Sequence, residues 1–299
     1  MRAVGHAAMT IVDFDDLRTD WYSGGDFMAR KLQRCLRAKD EDTVFAHFPR
    51  QWIPLFEWAG AAWRSSTCPA GYLPFFSAMS ERELVQETQR ARKAGQLRSL
   101  VELTASCDIV LCETLQRIDA RHCRSTADTG NNGDARSIIL SNWLSYTRPE
   151  FRDYEEALKQ YRQGSRSAIF LSCGRTRPYH LSRTHVRLRR ALEAEGVDID
   201  CHDVIVMTSI GPVPQPLWQH PVVMLYDTGI RDIYRVLTLL RRLLHGTQYE
   251  VGWDCLSFRP YRDVLDIVTR EGRIRKLLRP RVLRSRNIPV YRVHAARSP

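Results

Sequence analysis

From residue 167 onward the chain alternates short apolar runs with amphipathic stretches, and this alternation restricts its fold more than any other feature. Strand-like runs occupy 167–171, 203–208, 221–226 and roughly 250–258, with helical patterns over 182–195, 230–245 and 261–271. In the stretch 230–245 the apolar positions are 233, 236, 237, 240, 243 and 244, one face of a helix, and Gly246 follows. A strand, a helix and a second strand build parallel sheet, because the chain must cross over to run again in the same direction. The expected fold class is α/β, with a three-layer parallel-sheet core. Ligands of such sheets bind beyond the carboxyl ends of the strands, which directs the search for chemistry to the residues after each apolar run.

The first half reads as mainly helical. Residues 26–38, 51–63 and 97–118 place apolar side chains at helical spacing. Residues 80–95 open with S-E-R-E, in which Ser80 can cap and Glu83 can reach back. Trp52, Trp58, Trp63 and Phe56 cluster within one helical stretch. Aromatic residues at that spacing form core more readily than a platform for nucleobases. The segment 124–136, R-S-T-A-D-T-G-N-N-G-D-A-R, has no apolar residue larger than alanine and reads as a loop, either a connection or a flap. The expected organisation is a helical region over 1–165, an α/β core over 166–272 and a basic segment over 273–299.

The net charge of +11 is concentrated near the end, where 270–299 holds nine arginines and one lysine against Glu271. A dense arginine segment is the footprint of a polyanion partner, since guanidinium forks match phosphates. Arg273, Arg275, Lys276, Arg279, Arg281, Arg284 and Arg286 are therefore expected to bind nucleic acid. No run approaches a membrane span, and residues 1–13 make a poor secretion signal. A cytoplasmic protein without membrane partners is expected. Its eight cysteines then read as reduced thiols. Cys107, Cys112 and Cys123 could be drawn as a structural zinc site, but they lack paired C-x-x-C spacing, and Cys107 and Cys112 lie in an apolar helical stretch. No cofactor is expected.

Residues 172–185 read S-C-G-R-T-R-P-Y-H-L-S-R-T-H. A strand thus delivers Cys173 into a loop holding Arg175, Arg177, Tyr179, Ser182 and His185. The pattern S-C-x-x-x-R-P-Y-x-x-S-x-x-H resembles the P-C-x-x-x-K-P-Y-x-x-S-x-x-H signature of the archaeosine synthase core-domain family. D-V-I-V-M-T-S-I-G-P-V-P at 203–214 and Y-D-T-G at 226–229 resemble two further landmarks of that family. Ser172 stands where the family has Pro, and Arg177 where it has Lys. The second exchange replaces a titratable amine with a permanent planar cation.

The resemblance implies a uracil-DNA-glycosylase-like core and a substrate carrying 7-cyano-7-deazaguanine. A similar core occurs in the DpdC-like proteins of bacterial DNA 7-deazaguanine modification systems. That branch fits a basic chain with no evident radical-SAM cluster motif, and its role would be hydration of the nitrile to a carboxamide in DNA. Other proteins of such a system are a further class of partner. Under this reading Cys173 adds to the nitrile carbon, His185 moves protons, and Asp227 is the alternative base. Arg175, Arg177, Tyr179, Ser182, Thr208 and Ser209 would bind the substrate, with Tyr179 or Thr208 donating to the nitrile nitrogen. Each has a plain structural alternative: Ser182 a helix cap, Asp227 a turn, Cys173 a packed thiol. The competing functions are amine addition to the nitrile in tRNA, a non-catalytic module that binds the modified base, and a glycosylase.

Overall fold

The computed structural model describes residues 10–13, 21–38, 43–46, 48, 50–63, 79–121, 138–140, 142–174, 176–227, 231–246 and 248–281. The chain divides into two compact units, residues 1–152 with 225–230, and residues 153–224 with 231–299.

In the first unit, helices α1 (Trp21–Ala38), α2 (Ile53–Ala59), α3 (Glu81–Lys93), α4 (Leu97–Ala105) and α5 (Ile109–Ala120) surround one apolar cluster. Phe45, Phe48, Trp52, Phe56 and Trp58 are at its centre. The Phe45 and Phe56 rings stack at 4.6 Å, and Phe48 meets Phe56 edge-on at 4.6 Å. Trp52 and Trp58 are therefore core. Ser80 caps α3 as a full capping box with Glu83. The helical expectation for this region omitted a parallel sheet of β1 (Thr10–Asp13), β2 (Thr43–Ala46) and β3 (Ala62–Trp63). Its strands are two to four residues long, too short to display a period of two.

A buried ionic network ties α4 to α5. Arg98 donates to both oxygens of Asp119, at 2.8 and 2.6 Å, and to Glu102 at 3.1 Å. Arg148 and Ser145 complete the shell around Glu102, donating at 2.5 and 2.7 Å. Burial opposes the Glu102 charge, yet Arg148 and Arg98 together hold its pKa below the ordinary carboxylate range.

The second unit takes in most of α6 (Pro149–Gln160) and contains a five-stranded sheet. The strands, after β4 (Ile138–Ile139) of the first unit, are β5 (Ser167–Ser172), β6 (Asp203–Thr208), β7 (Gly211–Pro214), β9 (Tyr249–Cys255) and β10 (Ile274–Leu278). Their order is β10-β9-β5-β6-β7, parallel throughout except for β7, which closes a hairpin against β6. The core strands are buried on both faces, Ala168–Leu171 and Val204–Thr208 among them. Helices α7 (Arg183–Ala194), α9 (Ile233–Leu243) and α10 (Arg259–Arg270) connect them. Helices α9 and α10 pack against each other. The α/β class holds, with a mixed rather than purely parallel sheet.

Two expectations change. Residues 221–226 are not a strand of this sheet: Pro221–Leu225 is helix α8, and β8 (Tyr226–Asp227) pairs with β4 in the first unit. The basic segment begins with β10, an edge strand. Residues 124–136 lie outside the described residues.

Candidate functional site

The carboxyl ends of β5, β6 and β9 lie side by side, with Leu171 level with Cys255 and Ser172 level with Met207. Cys173 follows β5 directly and keeps the sheet register, its N–H donating to Met207 O at 3.1 Å. The loop then folds back on itself. Gly174 approaches Ser182 so closely that a Cβ would stand 2.9 Å from its Oγ. A side chain there would force the Ser182 hydroxyl to shift.

Around the half-buried Cys173 thiol three groups converge. Tyr179 Oη lies 3.7 Å from Sγ, and Arg177 Nη2 donates to it at 3.8 Å. The Gly174 carbonyl accepts from it at 3.4 Å. The Arg177 guanidinium also lies over the Tyr179 ring, 5.5 Å from its centroid. Arg177 therefore presents a fixed cation beside the sulfur, where a thiolate would carry its charge.

His185 sits in the first turn of α7, buried at 7% exposure. Its Nε2 lies 2.9 Å from Ser172 O, which assigns the proton to Nε2, since a carbonyl only accepts. Nδ1 is buried and, among the described residues, has no hydrogen-bond partner. Burial lowers the His185 pKa, opposed by the backbone of Ser172 and of Tyr179. Burial thus favours the neutral ring. Tyr179 stands between histidine and thiol, its ring 5.6 Å from that of His185. Trp218 completes an aromatic wall, 5.8 Å from Tyr179 and 6.4 Å from His185.

The other expected residues divide. Ser182 occupies the N-cap position of α7 but makes no side-chain cap bond, and it is buried at the loop's narrow point. Thr208 is committed to the β6–β7 hairpin: its hydroxyl donates to Gly211 O at 2.8 Å and accepts from Ile210 N at 3.1 Å. Its one proton is taken, so it is not the donor expected for the nitrile nitrogen. Ser209 is buried in the same hairpin turn. Asp227 belongs to the β4–β8 pair and not to this row of strand ends. Its alignment with Cys173 rested on a strand that is a helix. Arg175 lies outside the described residues.

Residues that the sequence reading missed also lie on this edge. Ser257 donates to Ser172 Oγ through its N–H at 2.8 Å and its hydroxyl at 2.9 Å, joining the ends of β5 and β9. Asp254, near the end of β9, is buried, and that burial raises its pKa against the N–H of Leu256 and the charges of Arg279 and Arg262. Trp218 had a weak signal, as a lone aromatic after P-V-P-Q-P-L. Asp254 had none, because nothing near it in sequence marks a carboxylate that tertiary packing buries.

The basic residues of β10 lie elsewhere. Arg273 precedes the strand and donates to Leu244 O at 3.2 Å, closing the end of α9. Arg275 donates to Gln248 Oε1 at 3.1 and 3.3 Å. Ile274 pairs with Tyr249, the first residue of β9, so Arg273 and Arg275 occupy the amino edge, opposite Cys173. Lys276 and Arg279 are exposed, while the Arg281 N–H donates to Glu195. Arg284 and Arg286 lie outside the described residues.

Among the described residues no three His, Cys, Asp or Glu side chains cluster as metal ligands. Cys107 is exposed and Cys112 half-buried, with Gln116 donating to Cys112 at 3.5 Å, and Cys123 lies outside the described residues. No helix among the described residues is long and apolar enough to cross a membrane.

Residues 151–251 match the family model described as a domain of unknown function, DUF5591. Over 141 residues the chain is 29% identical to the archaeosine synthase of Methanocaldococcus jannaschii, covering 45% of this chain and 22% of that protein. The chain thus spans about a fifth of that relative's length. A crystal structure of AF0587, described as a protein of unknown function, is 22% identical over 42% of each chain, with a TM-score of 0.32.

Proposed function

Because the chain is archaeosine synthase-like over this stretch, we propose that it modifies 7-cyano-7-deazaguanine within nucleic acid, hydrating the nitrile to a carboxamide, with DNA as the polymer. The observation that carries the reading is the Cys173 thiol, at the carboxyl end of β5, with Arg177 at 3.8 Å and Tyr179 Oη at 3.7 Å. Nitrile hydration needs a nucleophile for carbon and a proton for nitrogen, and these groups supply both.

In the proposed sequence Sγ bonds to the nitrile carbon as one C–N π bond breaks. Nitrogen takes a proton from Tyr179 Oη, giving a thioimidate. Water then adds to that carbon as the C=N π bond breaks: one water proton restores the Tyr179 hydroxyl, which gives nitrogen its second proton. The carbon–sulfur bond breaks as the new hydroxyl's proton returns to the Tyr179 phenolate, thiolate leaves beside Arg177, and the product is the carboxamide. One nitrile and one water are consumed, with no redox change. Relative to the sequence expectation, Tyr179 is kept as donor and Thr208 is not, and the proton transfers assigned to His185 pass to Tyr179, with His185 at one remove.

The polymer is tested by incubating the protein separately with DNA and with tRNA that carry the cyano base, then weighing the released nucleosides. A gain of one water on the DNA nucleoside is expected. An amine adduct on the tRNA nucleoside would replace this reading with archaeosine-synthase-like chemistry, and a freed base with glycosidic cleavage. Tight binding without product would leave a recognition module.

A further inference from the structure

Helix α7 carries the site on one face and a row of cations on the other. Its buried residues are His185, Leu188 and Leu192. Arg183, Arg187 and Arg190 are exposed and fall at i, i+4 and i+7, on the side away from that buried stripe. Among the described residues none of the three enters an ion pair, whereas Arg189 on the flank pairs with Asp200 at 3.0 Å. Two exposed apolar side chains adjoin the row, Leu181 at 59% and Val186 at 37% exposure. Leu181 lies in the loop that holds Tyr179, so the row begins where the site ends.

We propose that this face of α7 is a nucleic-acid contact surface, along which the sugar–phosphate backbone flanking the modified base is held. The inference rests on the polymer substrate proposed above and names the surface that grips it. From Arg183 to Arg190 the helix rises about 10 Å at 1.5 Å per residue. That matches about three nucleotides of one strand at 3.4 Å each. Three guanidinium groups without acidic partners are free to meet phosphate oxygens, with release of the counterions those phosphates hold. A membrane is the poorer occupant, because an interfacial helix needs a continuous apolar face and α7 already buries its own in the protein. The surface also differs from the one expected from composition. Arg273 and Arg275 are engaged within the fold at the opposite edge of the sheet, whereas α7 starts at the carboxyl edge, beside Cys173.

The test is the salt dependence of binding, read by fluorescence anisotropy with a labelled unmodified DNA duplex and with tRNA. The triple variant R183A/R187A/R190A is compared with wild type. Loss of three phosphate contacts lowers the slope of log K against log salt by roughly 2 to 3 on duplex DNA, at about 0.9 per contact. The charge-preserving triple lysine variant should keep most of the slope, which separates charge from any structural role of the arginines. The pair R275A/K276A on β10 should leave the slope near wild type. A folded alanine variant, confirmed by circular dichroism and its melting curve, that retains the full slope would overturn the proposal while leaving the polymer reading intact. Should wild type bind neither polymer at low salt, the polymer reading itself fails, and this surface with it.

Discussion

Cys173 and His185 belong to one loop but have different physics. The thiol is half-buried with a cation and a phenol against it, so its replacement is decisive for the proposed covalent route. Cys173→Ser should lower turnover of cyano-modified DNA by at least a hundredfold while binding persists, because the site's cations and aromatic wall remain. A serine variant that hydrates at near the wild-type rate would exclude the thioimidate and move attention to Asp254. His185 makes a separate prediction through stability. Burial lowers its pKa in the native state below the ordinary 6.5, so the unfolded chain takes up that proton at higher pH than the native one does. Its contribution is full above pH 6.5 and declines as pH falls through the lowered native value. His220, lowered by burial with Asp153 opposing, acts in the same direction. Urea unfolding across this window should show a shallower acid loss for His185→Gln than for wild type. Parallel pH profiles would mean that the histidine does not titrate differently on folding.

At the scale of elements, the β6–β7 hairpin borders the site, where the Cys173 N–H donates to Met207 O of β6. Thr208 closes it by two hydrogen bonds, and Gly211 turns it with φ of +120°, where a Cβ would stand 2.7 Å from Leu239 Cδ1 on α9. Strain and clash coincide, so Gly211→Ala should cost about 1 to 3 kcal/mol. An unchanged melting temperature would show that α9 gives way. The hairpin also explains why 203–214 was legible only in part. V-I-V-M-T is a buried strand by its apolar run, but G-P-V-P carries two prolines and reads as a turn. Prolines are tolerated there because β7 is an edge strand, so among the described residues no further strand needs the missing N–H groups. The capping box at Ser80 was legible outright, since both partners are three positions apart and need nothing distant.

At the scale of the second unit as a whole, the two edges of the sheet have separate tasks. Opposite the chemistry, Asp203 collects the N–H groups of Gly164 and Ser165 and the hydroxyl of Tyr249, the last at 2.8 Å. Burial first, and this carboxylate with it, pushes the neighbouring Tyr161 up to about 12. The cluster pins the entry to β5 against the starts of β6 and β9. Tyr249→Phe removes one hydrogen bond to a charged group and should cost about 1.5 to 3 kcal/mol, measured by chemical denaturation. Turnover under native conditions should be nearly unchanged, because the reacting groups lie across the length of the strands. A tenfold loss of turnover in the folded variant would show that the edges are coupled.

What local chemistry dictates was readable from the chain alone. Apolar runs of five or six residues, amphipathic periods and a capping pair depend on neighbours in sequence, and they located β5, β6, β9, α7, α9, α10 and the start of α3. The loop from Cys173 to His185 was readable for the same reason, being one continuous segment after one strand. Strand order, and with it the company each side chain keeps, depended on tertiary packing. The run 221–226 is as apolar as a strand, but helix α8 and the β4–β8 pair claim it, and Asp227 leaves the row of strand ends with it. The arginines look alike in sequence, yet a half-buried position bonds Arg273 to a helix carbonyl while α7 leaves Arg183, Arg187 and Arg190 exposed. Charge can be counted along a chain, but its availability to a partner is settled only when folding decides which cations are already paired.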